Sequence, residues 1–313
     1  GFWLATSEGL ARFAPAAWRK PPAVANKKQV VHGIVEDDQG RSWFAFADSL
    51  VSYENEVWKH YPLPPSRRID ELKAEPLGYL FNGRLLIKTQ SQLFSFNPET
   101  HDFFQIHHPE QRSISILSAT PNDTVWLLSF KDNQAYLDEF DGQSFHPILE
   151  HSKCPGIDYS TRHIAQDSHG RFWFGGLSGL TCIDQNQVTH FQHNQNGFTE
   201  TAVNYIHTFP DGKIWIGGRD AILEYSDGQW KTIRKGLDSI RKIFQSNDGS
   251  MWVASGIGLH RYHQGSWVTI SQEEGLPNAA IYDVFQNHYG QLWVGTTNGL
   301  CCYQPEADQE APQ

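Results

Sequence analysis

Gly290-Gln291-Leu292-Trp293-Val294-Gly295-Thr296-Thr297-Asn298-Gly299-Leu300 decides the fold of this chain, because its pattern recurs from end to end. A short apolar run carries one Trp, small residues follow, and a Gly-containing turn leads into a second run, Leu300-Cys301-Cys302-Tyr303. Trp173-Phe174-Gly175-Gly176 with Gly179-Leu180 repeats it, as does Phe2-Trp3-Leu4-Ala5-Thr6 with Gly9-Leu10-Ala11-Arg12-Phe13. Further copies centre on Trp43, Trp126, Trp215 and Trp252. A degenerate eighth, Gly83-Arg84-Leu85-Leu86-Ile87-Lys88, puts Leu86 in the Trp position. The anchors at 3, 43, 86, 126, 173, 215, 252 and 293 lie 37 to 47 residues apart. A period of roughly 40 residues is that of one four-stranded propeller blade.

Outward from Trp293, each unit resolves into four short strands, A to D. In the last copy strand A is Ala280 to Phe285, B is Leu292 to Thr296 and C is Leu300 to Tyr303; the preceding strand D is Trp267 to Ile270. Asp37-Asp38-Gln39-Gly40, Asp167-Ser168-His169-Gly170, Asp211-Gly212, Asp248-Gly249 and Asn287-His288-Tyr289-Gly290 close the A–B hairpins. Gly accepts the positive φ such turns require, and short Asp or Asn side chains bond the nearby backbone. Regular spacing makes the tryptophans core residues, each filling the wedge between two facing blades, rather than a sugar-stacking surface. The expected fold is all-β, a β-propeller of four-stranded antiparallel blades occupying residues 1–304 as one domain, with a flexible tail over 305–313. Counting from a first strand B to a last strand C gives 30 strands, where eight blades need 32 and seven need 28. Eight motif copies favour eight blades. The seven-blade alternative pairs the last strand A with the first strand B and leaves two strands over.

Composition agrees and excludes several functions. Aromatic residues reach 13% and charged residues only 19%, which suits pleated surfaces; a single Met and few helix-forming stretches argue against long helices. Lys and Arg number 25 against 35 Asp and Glu, a net charge of −10 without the basic footprint of a nucleic-acid or anionic-membrane binder. No apolar stretch approaches the roughly 18 residues of a membrane span. The chain opens inside a strand motif and is expected to be a segment of a longer protein. Cys154, Cys182, Cys301 and Cys302 match no metal knuckle and read as buried small hydrophobes, one disulfide being the alternative. Cys301 and Cys302, being adjacent on a strand, should face opposite sides of the sheet.

With these residues in view, Gly275-Leu276-Pro277-Asn278, Ile281-Tyr282-Asp283-Val284 and Gly290 to Leu300 resemble the two-component regulator propeller repeat. Gly170-Arg171-Phe172-Trp173-Phe174-Gly175 and Asp211-Gly212-Lys213-Ile214-Trp215-Ile216-Gly217 are similar to it too, while the Leu86 and Trp126 copies lack the small residues after the anchor. The resemblance implies a periplasmic sensor region of a membrane receptor, whose signal in several members is an oligosaccharide. The cytoplasmic output in that family is a histidine kinase, a hybrid kinase or a diguanylate cyclase. It implies no catalytic motif and no cofactor. The expected partners are a small-molecule or oligosaccharide ligand and downstream signalling domains of the same receptor, with a homodimer left open and no nucleic acid.

Candidate ligand contacts follow from phase, since the D–A and B–C loops form the axial face. They are Arg67, Arg68, Asp70, Tyr159, Arg162, Asn204, Arg219, Asp220, Arg241 and Asn278, with Asp48, Asp132 and Asn298 in further B–C loops. Arg with neighbouring Asp and Tyr offers bidentate and stacking contacts to a sugar or carboxylate; solvated loop positions are the plain alternative for each. Fifteen His include His107-His108, His151 and the His190/His193 pair, but no carboxylates stand at ligand spacing, so no metal is expected. No nucleophile elbow, P-loop or dinucleotide fingerprint occurs. Competing functions are a propeller lyase or hydrolase with its groups at the axial mouth, and a protein-docking scaffold.

Overall fold

Turn chemistry and strand alternation produce the expected hairpins. Gly40, Gly170, Gly249 and Gly290 all sit at φ near +80° in the A–B turns, a region that costs Gly little. The computed structural model describes residues 2–6, 9–13, 17–64, 77–80, 83–89, 92–120 and 124–304. The tail expected over 305–313 lies outside them. In each of six repeats four consecutive strands pair in order as one antiparallel sheet, Val31–Glu36, Ser42–Phe46, Ser49–Glu54 and Val57–Pro62 forming the first.

The number of blades is seven, which corrects the expectation of eight. The seventh sheet takes Ile281–Gln286, Leu292–Thr296 and Gly299–Tyr303 from the end of the chain and Trp18–Arg19 from its beginning. Closure therefore adds the first strand D beside the last strand C, not the first strand B beside the last strand A. Trp18 pairs with Tyr303 and Arg19 with Cys302, and Gln304 N donates to Ala17 O at 2.8 Å. Phe2–Thr6 and Gly9–Phe13 are left to pair with each other as a separate two-stranded sheet. The motif count overshoots by one because the Trp3 copy contributes only its strand D to the ring.

The ring holds together in seven apolar clusters, each joining an anchor of one blade to strands of the next. Trp43 packs with Leu85 and Ile87, Leu86 with Leu117 and Leu127, and Trp126 with Ile164 and Phe174. Trp173 packs with Ile206 and Ile216, Trp215 with Ile243 and Val253, and Trp252 with Ile281 and Val294. Trp293 packs with Val31, Phe44 and Phe46 of blade 1, sealing the ring. Small residues after the anchor admit the neighbouring backbone: a Cβ on Gly295 would lie 2.7 Å from Val31 O. Cys301 and Cys302 enter clusters on opposite faces of blade 7. All four cysteines are buried and free, which removes the disulfide alternative.

The A–B turn aspartates do more than form turns. Asp37 accepts from Gln39 N and Arg41 N, from Arg41 Nε at 2.7 Å, and from Trp43 Nε1 at 2.8 Å. Asp167 repeats the set with Arg171 and Trp173. The acceptor sits six residues before the anchor, where blade 6 has Ser246, bonded to Trp252 Nε1 at 3.0 Å. Blade 5 has Phe209 there, and Trp215 Nε1 turns to Glu224 instead. In blade 7 Asn287 and Gln291 replace the Asp–Arg pair and bond each other at 2.9 Å, and Trp293 Nε1 is buried without a partner.

Asn287→Asp alone should lower the melting temperature, because it buries a carboxylate without its cation. Asn287→Asp with Gln291→Arg should recover that loss and supply Trp293 with an acceptor. A double-mutant cycle should show favourable coupling of about 0.5–3 kcal/mol, and additive effects would refute the comparison with blades 1 and 4. Trp18→Ala, which removes the 2%-exposed side chain of the closing strand, should cost about 3–5 kcal/mol in denaturant unfolding.

Candidate functional site

The A strands are innermost, each touching the A strands of its neighbours in the ring. Five of them carry a register irregularity against strand B near their start: between Val31 and Gly33, Ile114 and Ile116, Thr161 and His163, Val203 and Tyr205, and Ile281 and Asp283. The extra residues are His32, Ser115, Arg162, Asn204 and Tyr282. A bulge of this kind re-aims one side chain out of the alternation. In blade 6 Arg241 holds the same place just ahead of the strand, its N–H donating to Ala254 O at 2.9 Å. All six stand eleven residues before their anchor. The blade 2 counterpart by that count, Glu75, lies outside the described residues.

These side chains meet across blade boundaries. The Arg162 guanidinium donates to Asn204 Oδ1, and Asn204 Nδ2 donates to Gly218 O at 3.2 Å. Arg241 lies 3.9 Å over the Tyr282 ring and donates to Ile281 O at 3.3 Å. His32 meets the other side of the seam, edge to face with Tyr282 at 5.4 Å. Burial, and after it the Arg241 charge, push the His32 imidazole down to about 4. Both His32 ring nitrogens are buried without a hydrogen-bond partner. Burial also holds Arg162 below the usual guanidinium value, with the nearby Arg219 charge adding to it.

One residue missing from the sequence-based list organises the rim. Glu200, 4% exposed, accepts from Arg219 N at 2.7 Å, Asp220 N at 3.2 Å and Ala221 N at 3.0 Å. Its carboxylate thus fastens the B–C loop of blade 5 and sets where Arg219 stands. Gly218 is required beside it, since a Cβ there would lie 2.1 Å from Glu200 Oε2.

Of the expected contacts, the structure brings Arg162, Asn204 and Arg241 into one ring, with Arg219 near enough for its charge to act on Arg162. Arg67, Arg68 and Asp70 lie outside the described residues. Tyr159 is 51% exposed, its ring stacked on Phe130 at 4.0 Å. Asp220 is exposed and its backbone serves the Glu200 clasp. Asn278 caps its own turn, Oδ1 accepting from Ala280 N at 2.9 Å, and Asn298 Nδ2 donates to Pro277 O. Asp48 is taken by Lys27 at 3.1 Å and Gln29 at 2.8 Å, and Asp132 sits exposed in a turn at φ +51°. Both Arg162 and the missed His32 and Tyr282 carry one signal, the count of eleven to the anchor. Glu200 had none, because its role depends on a loop that only folding brings to it.

Among the described residues no group of three or more His, Cys, Asp or Glu is placed to hold a metal, and no helix is long and apolar enough to cross a membrane. A groove of about 540 Å³ between blades 6 and 7, on the A–B side, is lined by Trp18, Trp252, Tyr289 and Tyr303. Its polar groups are mutually satisfied, Arg261 on Asp248 at 2.8 Å and Gln286 on Gly290 O at 3.1 Å.

Residues 275–298 match the two-component regulator propeller family. No curated protein matches the sequence significantly. In fold, the chain is similar to the extracellular domain of a hybrid two-component system from B. thetaiotaomicron, with a TM-score of 0.74 at 19% identity over 99% of this chain and 44% of that one. A second such domain from the same organism gives 0.72 at 17% identity, over 88% of this chain and 38% of that one. The chain thus spans less than half the length of these two domains. Streptogramin B lyase shares the fold at a TM-score of 0.62 and 12% identity, over 88% of this chain and 93% of the lyase.

His32 gives the site a pH signature. Its folded pKa of about 4 lies below the ordinary imidazole value of 6.5, so the unfolded chain binds the proton more readily. Its contribution to stability is complete above pH 6.5 and is lost as pH falls toward 4. Replacing His32 by Asn should flatten the dependence of unfolding free energy on pH across that window by about one proton. An unchanged slope would show that the imidazole is not buried as described.

Proposed function

We propose that this chain, which carries a two-component regulator propeller repeat at residues 275–298, is the non-catalytic ligand-binding input domain of an extracytoplasmic signalling receptor. The ligand, a polar small molecule or oligosaccharide, is taken at the axial mouth ringed by Arg162, Asn204, Arg241, Tyr282 and His32. The observation that carries this reading is the bulge at one register in five A strands, with Arg241 at the same place in blade 6, so that a different side chain stands there from blade to blade while the anchors stay in the core. A repeated scaffold with interchangeable side chains at its hub suits recognition. Ring contacts that cross from blade 7 to blade 1 and from blade 4 to blade 5 let a bound molecule bridge several blades. The resulting change in how blades sit together is what downstream domains of the same receptor would read. The location is periplasmic on the same reading.

A second function is favoured by the likeness to streptogramin B lyase, whose whole length the fold nearly covers. The two separate on what happens to the ligand. Incubated with an oligosaccharide panel, the protein should show a raised melting temperature for the recognised member, as expected when a ligand binds only the native state. Mass spectrometry should recover that member intact. Tyr282→Ala, which strips the half-buried ring between Arg241 and His32, should abolish the shift while the apo protein still unfolds in one cooperative transition. A shortened or eliminated product would instead establish a lyase, and a shift undiminished by Tyr282→Ala would place binding elsewhere.

A further inference from the structure

We infer that the axial mouth recognises an acidic saccharide, whose carboxylate or sulfate is held by the guanidinium groups of Arg162, Arg219 and Arg241. This rests on the reading of the mouth as the ligand site. Elsewhere in the protein four arginines pair with carboxylates: Arg41 and Arg171 bond Asp37 and Asp167 at 2.7 Å, Arg112 reaches Asp138 at 3.2 Å, and Arg261 reaches Asp248 at 2.8 Å, while Arg84 and Arg234 lie over the Phe104 and Trp267 rings. The three arginines of the mouth lack such a carboxylate. Among the described residues none of them stands within 4.0 Å of a carboxylate, the distance that defines an ion pair. Arg162 is held by the neutral amide of Asn204, and Arg241 by the Ile281 carbonyl and the Tyr282 ring. Such partners orient a guanidinium without cancelling its charge.

Two of the nearby acids are occupied by the scaffold, while Asp220 is exposed. Glu200 is consumed by three backbone N–H groups. Asp283 accepts from Ile34 N at 2.8 Å and sits 3.6 Å from Lys242. Among the described residues of a molecule with a net charge of −10, the three guanidinium groups thus keep no carboxylate partner, and holding Arg162 near Arg219 costs free energy that an anion would offset. His32 adds an independent sign of a missing partner. It is 5% exposed, both ring nitrogens lack a hydrogen bond, and buried polar groups left so are uncommon. The exposed Tyr159 ring, three residues before Arg162 in the loop that leads into its strand, offers the flat apolar face that a sugar ring stacks on. With 25 Lys and Arg against 35 Asp and Glu, the chain lacks the basic balance of a nucleic-acid binder.

The test is calorimetry on the purified chain with oligogalacturonate, oligoguluronate and chondroitin sulfate disaccharides. Each is measured beside its methyl-esterified or desulfated counterpart, and inorganic sulfate is run alone. At least one acidic member should bind, and masking its charge should weaken it at least about tenfold, the scale of a charge-assisted hydrogen bond. Arg162→Gln and Arg241→Gln should each weaken it to a similar degree while leaving the melting temperature near that of the parent. Neutral counterparts binding as well as acidic ones, with both variants unaffected, would overturn the acidic specificity and leave the sensor reading standing. Sulfate alone binding as tightly as the saccharide would overturn the saccharide half. Failure of every acidic and neutral member to bind would overturn both.

Discussion

The contact on which everything else depends is the packing of one blade's anchor against the strands of the next. A four-stranded sheet has two faces to bury and no helix to cover them, so each blade is stable only between two others. The seven clusters meet this need, and no cluster belongs to a single blade. An open ring would leave Trp293 and the Val31 face of blade 1 in water. At roughly 25 cal/mol per Å² and 150–250 Å² per aromatic side chain, several kcal/mol are at stake for the anchor alone. Closure by Trp18–Arg19 follows from this demand, since strand D is the only part of the first copy that blade 7 lacks.

The same packing accounts for the hub. Anchors occupy the wedges, so strand A is free to bulge where it no longer has to fill them. The bulge side chains then touch those of neighbouring blades, Arg241 with Tyr282 and Tyr282 with His32 across the closing seam. Wedge and hub are thereby assigned to positions eleven residues apart in six of the repeats. The Glu200 clasp shows how a loop at the rim is held to a fixed geometry, one carboxylate accepting from three successive backbone N–H groups.

Much of this was legible in the repeat. Trp43, Trp173 and Trp293 are buried to within 2%, as regular spacing required, because a position repeated at one phase meets the same neighbours in every blade. Arg162, Asn204 and Arg241 were legible as axial residues from phase as well. His32 and Tyr282 were not, since an isolated His or Tyr within an apolar strand reads as core until the bulge turns it. Asp37 and Asp167 were legible only as turn formers; their second role, holding the anchor N–H, needs the hairpin closed so that six residues of chain bring the carboxylate back to the indole.

Local order was determined by the sequence alone: strand lengths, turn positions, the anchor in every unit, and the opposite facing of Cys301 and Cys302, all consequences of side-chain alternation and backbone sterics acting within some forty residues. The blade number, the pairing of Trp18 with Tyr303, and the meeting of Arg162 with Asn204 were decided by tertiary structure. Eight copies of a motif state how many units could join a ring. How many do join depends on the angle between packed sheets and on which end strand reaches the gap first, and no window of sequence contains that angle.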